Sequence, residues 1–254
     1  MIQVIKIGGG VLENEAQRDA FLRQFAAIEG PKILVHGGGR LATTMADRLG
    51  VETHMIDGRR VTDKETLDIV TMVYGGLVNK QVVAQLQTMG VNAIGMTGAD
   101  GGWMKAVKRP IKNGIDYGYV GDVVEVNGAH LRMLVENGLV PVIAPITFSA
   151  EGLLLNTNAD TVASQTAISL APDVQLIFCF EKAGVLSDPD DESSLIPRIT
   201  PESYTQLKAD GIVSGGMIPK IDNAFAAIEH GVQSVRITHA SNLQGGTVIS
   251  ALPK

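Results

Sequence analysis

The chain opens with Val4-Ile5-Lys6-Ile7-Gly8-Gly9-Gly10-Val11, a short β-branched run that carries one lysine and breaks into three glycines. A strand that ends at glycines leaves backbone N–H groups free to meet a ligand, and a nearby lysine makes the concave surface positive. Such a surface suits phosphate. Many lysines near strand ends are only solvated, and many glycine triplets are only turns, so this segment alone leaves its role open.

The same order of strand, glycine turn and helix follows at once. The first turn precedes a helix whose apolar face runs from Phe21 to Ile28. Residues 32–36 then predict a buried strand, Gly37-Gly38-Gly39 a second turn, and residues 40–49 a helix. Two successive strand–helix units favour an α/β fold with a parallel sheet.

The rest of the chain continues this alternation. Thr62-Asp63-Lys64-Glu65 has the spacing of a capping box with Thr62 as the N-cap, and it predicts a long helix that continues through Leu86. Gly75-Gly76 weakens the middle of that helix by about 1 kcal/mol per glycine relative to alanine. Short apolar segments between Trp103 and Val126 predict hairpins. Further helices are predicted after Asn127, over 160–170, from Thr200 and over 217–230, and further strands over 91–96, 139–146, 174–180, 234–238 and 247–250.

Composition excludes several classes of function. The 254 residues are 45% hydrophobic and carry a net charge of −6, without a block of Lys and Arg, so neither a nucleic-acid face nor a membrane patch is indicated. Cys179 is the single cysteine and lies in an apolar run, which excludes a disulfide framework and fits a reducing cytoplasm. No leader or long apolar segment is present, so we expect neither secretion nor membrane spanning.

A dinucleotide-binding protein is a competing interpretation. Gly37 to Ala42 formally satisfies the G-x-G-x-x-A fingerprint, and Asp57 lies where a ribose-binding acid is expected. Against this, two glycine turns on neighbouring units suit a donor and an acceptor better than one dinucleotide. A Walker A motif, metal-ligand spacing of the histidines and a Gly-x-Ser-x-Gly elbow are all absent from the sequence, so we expect no protein-ligated metal.

Three further motifs have both a functional and a bland interpretation. Arg59-Arg60 before the predicted helix could be solvated or could bind a carboxylate, since an arginine fork and a helix N-terminus act together. The stretch 156–160, Asn-Thr-Asn-Ala-Asp, contains more polar side chains than helix capping needs. Gly215-Gly216 precedes Lys220 near the start of another helix; this motif on its own is weak evidence for a functional site.

Taken in order, six pieces of the chain resemble the amino acid kinase family, and within it the acetylglutamate kinase branch, over essentially the whole chain. The pieces are Lys6-Ile7-Gly8-Gly9, His36-Gly37-Gly38-Gly39, Gly58-Arg59-Arg60-Val61-Thr62, Asn156-Thr157-Asn158-Ala159-Asp160, Ala183-Gly184-Val185-Leu186 and Gly216-Met217-Ile218-Pro219-Lys220. The resemblance implies a three-layer αβα sandwich around a mainly parallel sheet. It also implies transfer of the γ-phosphoryl of ATP to the side-chain carboxylate of N-acetyl-L-glutamate, the second step of arginine biosynthesis.

The resemblance assigns a role to each matching residue. Lys6 and Lys220 would flank the transferred phosphoryl, and Asp160 would orient them. The remaining assignments are backbone N–H donors to the phosphoryl at Gly8, Gly9 and Gly38, substrate binding at Gly38, Gly39, Arg60 and Asn156, and nucleotide binding at Glu181, Gly184 and Ser214. ATP implies Mg²⁺, held by phosphate oxygens and water with few or no protein ligands.

The family pattern also implies an organisation for the chain. Residues 1–173 would bind the acyl amino acid and form a homodimer, and residues 174–254 would bind ATP. The extra N-terminal helix found in arginine-inhibited hexameric members is absent, which favours an arginine-insensitive homodimer.

Two departures from the family pattern keep alternatives open. Phe180-Glu181-Lys182 stands where the family commonly has a small residue, an aspartate and a hydrophobic residue, which affects the adenosine contacts. Thr147-Phe148 stands where glycine is common, so an N-succinyl or aminoadipate-type substrate is possible if that turn lines the acyl pocket. From other classes, an NAD(P)-dependent oxidoreductase and a non-catalytic amino-acid sensor also remain.

Overall fold

The computed structural model of the chain describes residues 1–56, 58–188, 190–214 and 217–251, and describes Pro219 without its side chain. Asp57, the ribose-binding acid of the dinucleotide interpretation, lies outside the described residues, as does Gly215-Gly216.

The described strands and helices alternate along most of the chain. The strands are β1 (Ile2–Ile7), β2 (Lys32–His36), β3 (Met55–Ile56), β4 (Arg59–Arg60), β5 (Ala93–Met96), β6 (Met104–Lys108), β7 (Gly121–Val126), β8 (Val140–Ile143), β9 (Ile146–Phe148), β10 (Leu154–Asn156), β11 (Val174–Phe180), β12 (Arg198–Ile199), β13 (Ser234–His239) and β14 (Thr247–Ile249). The helices are α1 (Gly9–Glu13), α2 (Glu15–Ala26), α3 (Gly39–Leu49), α4 (Lys64–Val70), a π-helical segment (Thr71–Val78), α5 (Asn79–Thr88), α6 (Gly128–Glu136), α7 (Ala159–Leu170), α8 (Pro201–Ala209) and α9 (Met217–Glu229), with short 3₁₀ turns at Asp100–Gly102 and Glu192–Ser194.

Eight strands form one central sheet in the order β12-β14-β13-β11-β1-β2-β8-β5. Every neighbouring pair is parallel except β13 with β14. In a parallel sheet the carboxyl ends of the strands meet at one edge, and ligands of such folds bind there. The prediction of a mainly parallel sheet is confirmed.

Alternating side chains of the strands feed two hydrophobic cores. On β1, Ile2 and Val4 belong to the core that packs under α6, α7 and α9, whereas Ile5 and Ile7 belong to the core under α2, α3 and the helix of residues 64–88. This period of two places helices on both faces of the sheet, as the predicted αβα sandwich requires. By the same alternation Lys6 continues the face of Val4, toward α7 and α9.

A second sheet of four strands, β10-β9-β6-β7, lies beside the main sheet. Its β6 and β7 form an antiparallel hairpin that joins residues 104–108 to residues 121–126. The prediction of hairpin structure between Trp103 and Val126 is therefore confirmed.

The helix predicted from the capping box begins one residue later than expected. Asp63 is its N-cap, and the Asp63 carboxylate accepts a hydrogen bond of 2.8 Å from the Thr66 N–H. The prediction of Thr62 as the cap is wrong, because Thr62 is fully buried and its hydroxyl bonds Arg60 and Asn156 instead. Around Gly75-Gly76, where we expected weakness, the helix widens into the π-helical segment of residues 71–78.

The predicted strand over residues 139–146 is two strands. β8 ends at Ile143 in the main sheet, and β9 starts at Ile146 in the second sheet. Pro145 between them lacks the N–H that a continuous ladder needs. A further strand, β10, was not predicted and carries Asn156 at its end.

The helix starts predicted at Thr200 and after Asn127 differ in how they are capped. Thr200 and Ser203 form a complete capping box at the start of α8, with Pro201 in the first turn. Asn127 occupies the N-cap position of α6, but its side chain makes no capping hydrogen bond. The predicted division after residue 173 falls just before β11, which pairs with β1 along its whole length; the division stays a prediction.

His36 ends β2 in a buried hydrogen-bond network. The ring is fully buried, Nδ1 lies 2.8 Å from the Gly37 carbonyl oxygen, and Nε2 lies 3.1 Å from Nδ2 of Asn79. The Asn79 amide also donates to the Val142 carbonyl oxygen at 2.8 Å. Neutral imidazole protonated on Nδ1 satisfies every partner, so the network ties the second glycine turn to the helix that carries Asn79. Burial lowers the pKa of His36 from 6.5 to about 4.

We expect this histidine to make stability depend on pH. Between pH 6.5 and about 4 the unfolded state binds the proton and the folded state does not, so the free energy of unfolding is full above pH 6.5 and falls as pH decreases through that range. The loss should reach about 3 kcal/mol near pH 4. Urea unfolding across this range would measure it, with His36→Gln as the comparison, since that variant should show a shallower slope. Equal slopes in the two proteins would contradict the assignment.

Candidate functional site

The carboxyl end of β1 brings a lysine to the first turn of α7. Lys6 Nζ lies 2.9 Å from Oδ1 of Asp160, and the Lys6 side chain is only 11% exposed. Asn158 is the N-cap of α7, and its side-chain oxygen accepts from the N–H groups of Asp160 and Thr161 at 2.8 and 3.1 Å. Asp160 thus lies in the first turn of a capped helix, at the positive end of the helix dipole.

The second predicted lysine lies in the same place. Lys220, in the first turn of α9, has its Nζ 4.0 Å from the centroid of the Phe180 ring, and Lys6 Nζ lies 5.7 Å from the same centroid. Residues that are far apart in sequence therefore meet at one point beyond β1 and β11. The structure brings together the three residues that were predicted as catalytic.

The two glycine turns lie in direct contact beside these lysines. A Cβ at Gly9 would be 2.8 Å from the Gly38 nitrogen, and a Cβ at Gly38 would be 2.9 Å from Cδ1 of Tyr74. No side chain fits at either position, so the backbone itself forms the surface. Gly8 is the N-cap residue of α1, and Gly38 is the N-cap of α3.

The start of α3 offers backbone donors to a ligand. Its N-cap glycine provides no side-chain acceptor, and N–H groups in a first helical turn have no partner within the helix. Glu13 accepts from the Leu41 N–H at 2.8 Å. The N–H groups ahead of Leu41 point toward the turn, where an anion would be favoured.

Next to the glycine turns lies a cavity of about 220 Å³ that contains the predicted substrate-binding residues. Among the residues lining it are Gly38, Gly39, Arg60 and Asn156, together with Arg59, Tyr74, Arg109 and Asn158. Hereafter this is the acceptor cavity.

Arg60 is held rigidly in the wall of the acceptor cavity. It is 9% exposed, and Nη2 donates to the Gly39 carbonyl oxygen at 2.9 Å and to the Thr43 hydroxyl at 2.8 Å. Nη1 donates to the Thr53 hydroxyl at 3.1 Å. The guanidinium is therefore fixed before any ligand arrives, as a receptor for a carboxylate should be.

Thr62 connects Arg60 to Asn156. Its hydroxyl donates to the Arg60 carbonyl oxygen at 3.1 Å and accepts from the Asn156 amide at 3.0 Å. The residue predicted as a helix cap instead links the side chain of Asn156, predicted to bind substrate, to the backbone of Arg60.

A second cavity of about 460 Å³ is lined by Asp160, Lys220 and Phe180 among others. Arg59 and Asn158 line both cavities, so the two cavities adjoin.

Comparison with known proteins agrees with this geometry. The profile of the amino acid kinase family matches residues 1–239. The chain belongs to this family. The acetylglutamate kinase of Phocaeicola vulgatus is 56% identical over 252 residues, and the alignment covers 98% of this chain and 98% of that protein. The acetylglutamate kinase of Methanopyrus kandleri is 42% identical over 248 residues, with 96% of this chain and 98% of that protein covered.

Solved structures show the same amino acid kinase fold. The crystal structure of smu.665 from Streptococcus mutans UA159 is 30% identical, with a TM-score of 0.77 and 99% of each chain covered. An N-acetylglutamate synthase from Neisseria gonorrhoeae complexed with coenzyme A and N-acetyl-glutamate has a TM-score of 0.82 at 22% identity, over 100% of this chain and 60% of that one. Carbamate kinase from Giardia lamblia bound to AMP-PNP has a TM-score of 0.68 at 16% identity, over 99% of this chain and 98% of that one. The last two likenesses concern the fold alone.

The three residues predicted to bind nucleotide have varied surroundings. Glu181 is exposed and lies 3.4 Å from Nη2 of Arg40, across from the second glycine turn. Gly184 is buried, and a Cβ there would be 2.6 Å from Leu195 and 2.7 Å from Thr247, so packing alone explains the glycine. Ser214 is exposed. Their contacts with a nucleotide stay predictions.

The remaining titratable candidates do not form other sites within the described parts of the chain. Burial raises the pKa of Cys179 to about 12, so this thiol is neither a nucleophile nor a ligand near neutral pH. The described residues contain no group of three or more His, Cys, Asp or Glu side chains arranged to hold a metal ion. Each described helix is too short or too polar to cross a bilayer.

Several site residues were not predicted. Arg59 was noted beside Arg60 but given no role, and Tyr74 lies in an apolar helix face that gives no sign of lining a cavity. Tyr74 packs on the second glycine turn, and its burial raises its pKa despite the neighbouring Arg60. Arg109 comes from the β6–β7 connection, where it is fixed by Asp122 at 2.6 Å. Only the doubled arginine could have been found from sequence.

Proposed function

We propose that this protein transfers the γ-phosphoryl of ATP to the side-chain carboxylate of N-acetyl-L-glutamate, giving N-acetylglutamyl 5-phosphate and ADP, the second step of arginine biosynthesis. The observation that carries the proposal is the meeting of Lys6, Lys220 and the two glycine turns beside the acceptor cavity. The acetylglutamate kinase relatives, 42 to 56% identical over nearly the full chain, support the same activity.

The chemistry explains why the site consists of fixed positive charge and backbone donors. The substrate carboxylate is already ionised near neutral pH, so it can attack the γ-phosphorus without a general base. A carboxylate oxygen–phosphorus bond forms while the bond to the β,γ-bridging oxygen breaks, and ADP leaves with that electron pair. Negative charge on the phosphoryl oxygens is what the protein must stabilise. Lys6, Lys220 and the N–H groups of Gly8, Gly9 and Gly38 supply that stabilisation.

Acceptor binding falls to the residues of the acceptor cavity. Arg60 would receive the α-carboxylate, because its guanidinium is fixed and faces the cavity, and Asn156 would bind the same end of the substrate through its amide. Gly38 and Gly39 would line the site on the side of the phosphoryl. We therefore keep the proposed division, in which residues 1–173 would bind the acceptor and residues 174–254 would bind ATP.

ATP would bring Mg²⁺ with it. Asp160 is the carboxylate that lies at the lysines, and it is engaged by Lys6. A magnesium ion held by phosphate oxygens and water, without a cluster of protein ligands, fits these surroundings. It would neutralise charge on the phosphates. ATP is a cytoplasmic substrate, and a single free thiol fits a reducing compartment. We therefore also propose a cytoplasmic location.

The main alternative to N-acetylglutamate was a substrate with a different acyl group, such as N-succinylglutamate. Thr147 is fully buried, its hydroxyl lies 2.8 Å from that of Thr157, and neither Thr147 nor Phe148 is among the residues that line the acceptor cavity. The two residues that suggested a larger acyl group therefore lie outside the wall of the acceptor cavity, with Thr147 behind Thr157, which lines it. We accordingly favour the acetyl group.

ADP release in the presence of Mg-ATP tests the proposal. We expect the highest kcat/KM with N-acetylglutamate among a panel of N-acetylglutamate, N-succinylglutamate, glutamate and aspartate. Arg60→Lys should mainly raise the KM for N-acetylglutamate, because an ammonium group cannot keep the contacts that fix the guanidinium and also present its donors to the carboxylate in the same geometry. Arg48→Lys, at the exposed end of α3, is the matched control and should leave KM unchanged.

Each alternative predicts a different result. Binding of the acyl amino acid without ADP release would indicate a sensor. Thermal stabilisation by NAD(P) and not by Mg-ATP would indicate an oxidoreductase. A higher kcat/KM for N-succinylglutamate than for N-acetylglutamate would show that the substrate carries a succinyl and not an acetyl group.

We expect Lys6→Met or Lys220→Met to lower kcat by about 100-fold or more, with a modest effect on KM, because each removes a fixed charge from the phosphoryl in transfer. Lys64→Met is the control, since Lys64 pairs with Asp68 on the surface of α4. Steady-state kinetics with both substrates varied would measure the effect. A near-normal kcat in either site variant would remove that lysine from the transfer step.

We further propose a homodimer built around exposed apolar side chains beside β5, the last strand of the main sheet. Ile94 on this strand is 37% exposed, while Met72 and Leu77 on the π-helical segment are 56% and 40% exposed. The outer carbonyl oxygens of β5 already accept from the Lys80 and Gln87 side chains, so the apolar side chains and not free strand groups would favour self-association. Light scattering should give the mass of a dimer, and Leu77→Glu with Ile94→Lys should give a monomer. Leu49→Glu, at another exposed leucine, should leave the dimer intact; a hexamer, or inhibition by arginine, would contradict the proposal.

A further inference from the structure

The ring of Phe180 lies close to the ammonium groups of both lysines of the proposed transfer site. Its ring centroid is 4.0 Å from Nζ of Lys220 and 5.7 Å from Nζ of Lys6. Both distances are within the range at which an ammonium group is attracted to the face of an aromatic ring. A single uncharged side chain thus contacts both cations.

The two lysines differ in their other contacts. Lys6 is paired with Asp160 at 2.9 Å. Lys220 makes no ion pair or hydrogen bond with any side chain in the part of the chain that the structure describes, so its ammonium is held by the ring. Without the ring, a long side chain with four rotatable bonds would be free to move away from its neighbour of like charge.

The position of the ring is set by the sheet. Phe178 pairs in register with Lys6 across β11 and β1, and Phe180 lies two residues further along the same face. The two rings stack at 6.0 Å between centroids with an angle of 23° between planes. Because Phe178 is 5% exposed and belongs to the core under α7 and α9, the ring of Phe180 rests on a rigid base.

We propose that Phe180 is a positioning residue for the proposed phosphoryl transfer, and that it holds the ammonium groups of Lys220 and Lys6 in place through the negative face of its ring. The inference rests on the proposed function and deepens it. A second carboxylate, beside the Asp160 that pairs with Lys6, could hold Lys220 as well, but it would cancel the remaining positive charge of the two lysines and would repel the incoming phosphates. The ring quadrupole attracts the cation and leaves its charge available.

A series of fluorinated phenylalanines at position 180 tests this directly. Fluorine withdraws density from the ring face at nearly constant shape, so the series separates electrostatic attraction from packing. We expect kcat to fall stepwise from phenylalanine to monofluoro- and trifluorophenylalanine, by about 10-fold over the series, with the KM values for ATP and acceptor changed by less than about 3-fold. Phe180→Leu should lose at least as much, and Phe180→Tyr should retain activity because the ring face remains.

Phe25→Leu is the matched control. Its ring also carries a lysine, with Lys32 Nζ 5.3 Å from the centroid, but it lies in the core under α2. This variant should lose stability and keep its kcat. If the fluorinated series leaves kcat unchanged while Phe180→Leu lowers it, the ring acts only by packing and the proposal is overturned.

A measurement without catalysis separates this inference from the proposed function. In protein with ¹³C-dimethylated lysines, the Lys220 methyl signal should be shifted upfield by the ring current of Phe180 and should move toward the free-lysine position in Phe180→Leu. An unshifted Lys220 signal in the wild-type protein would overturn the contact. If the shift is present but the wild-type protein releases no ADP with any acceptor, the proposed function is overturned. The lysine–ring contact would still be established.

Discussion

The site depends on the parallel pairing of β1 with β2 on one side and β11 on the other. Ile7 pairs with His36 and with Cys179, so the two glycine turns and Phe180 begin at the same level of the sheet. Parallel pairing makes this possible because every strand presents its carboxyl end to the same edge. A one-residue slip would turn Lys6 from the face of α7 and α9 to the opposite core. Both hydrophobic cores oppose such a slip.

The charged groups at this edge are each held by a different physical means. An ion pair at a helix N-terminus holds Lys6, an aromatic face holds Lys220, and hydrogen bonds to oxygens hold the Arg60 guanidinium. His36, which would add a further positive charge behind the glycine turn, is kept neutral by burial. Under the proposed function, this arrangement presents fixed positive charge to a phosphate and a carboxylate while the histidine behind the glycine turn stays neutral, which is the preorganisation that phosphoryl transfer requires.

The acceptor cavity draws on the less regular parts of the fold. The π-helical segment carries Tyr74 onto the Gly38 backbone, and π-helical turns often occur where a side chain must be placed against a ligand site. Thr62 illustrates a limit of local pattern. Its capping-box spacing is real, yet burial beside Asn156 gives its hydroxyl a better partner, and Asp63 caps the helix instead. This competition is decided by a tertiary contact between two residues that are 94 positions apart in the chain.

By itself the sequence determined the alternation of strands and helices, the glycine turns, and the residue types needed at a phosphoryl site, because periodicity and backbone freedom are local properties. It also placed Lys6, Asp160, Arg60, Asn156 and Lys220 among the candidates through their ordered resemblance to one family. Only the tertiary structure decided that these residues meet, that the Phe180 ring contacts both lysines, and that Arg59 borders both cavities. Those facts follow from strand order and register, which are fixed by burial summed over the whole sheet and not by any short stretch of chain.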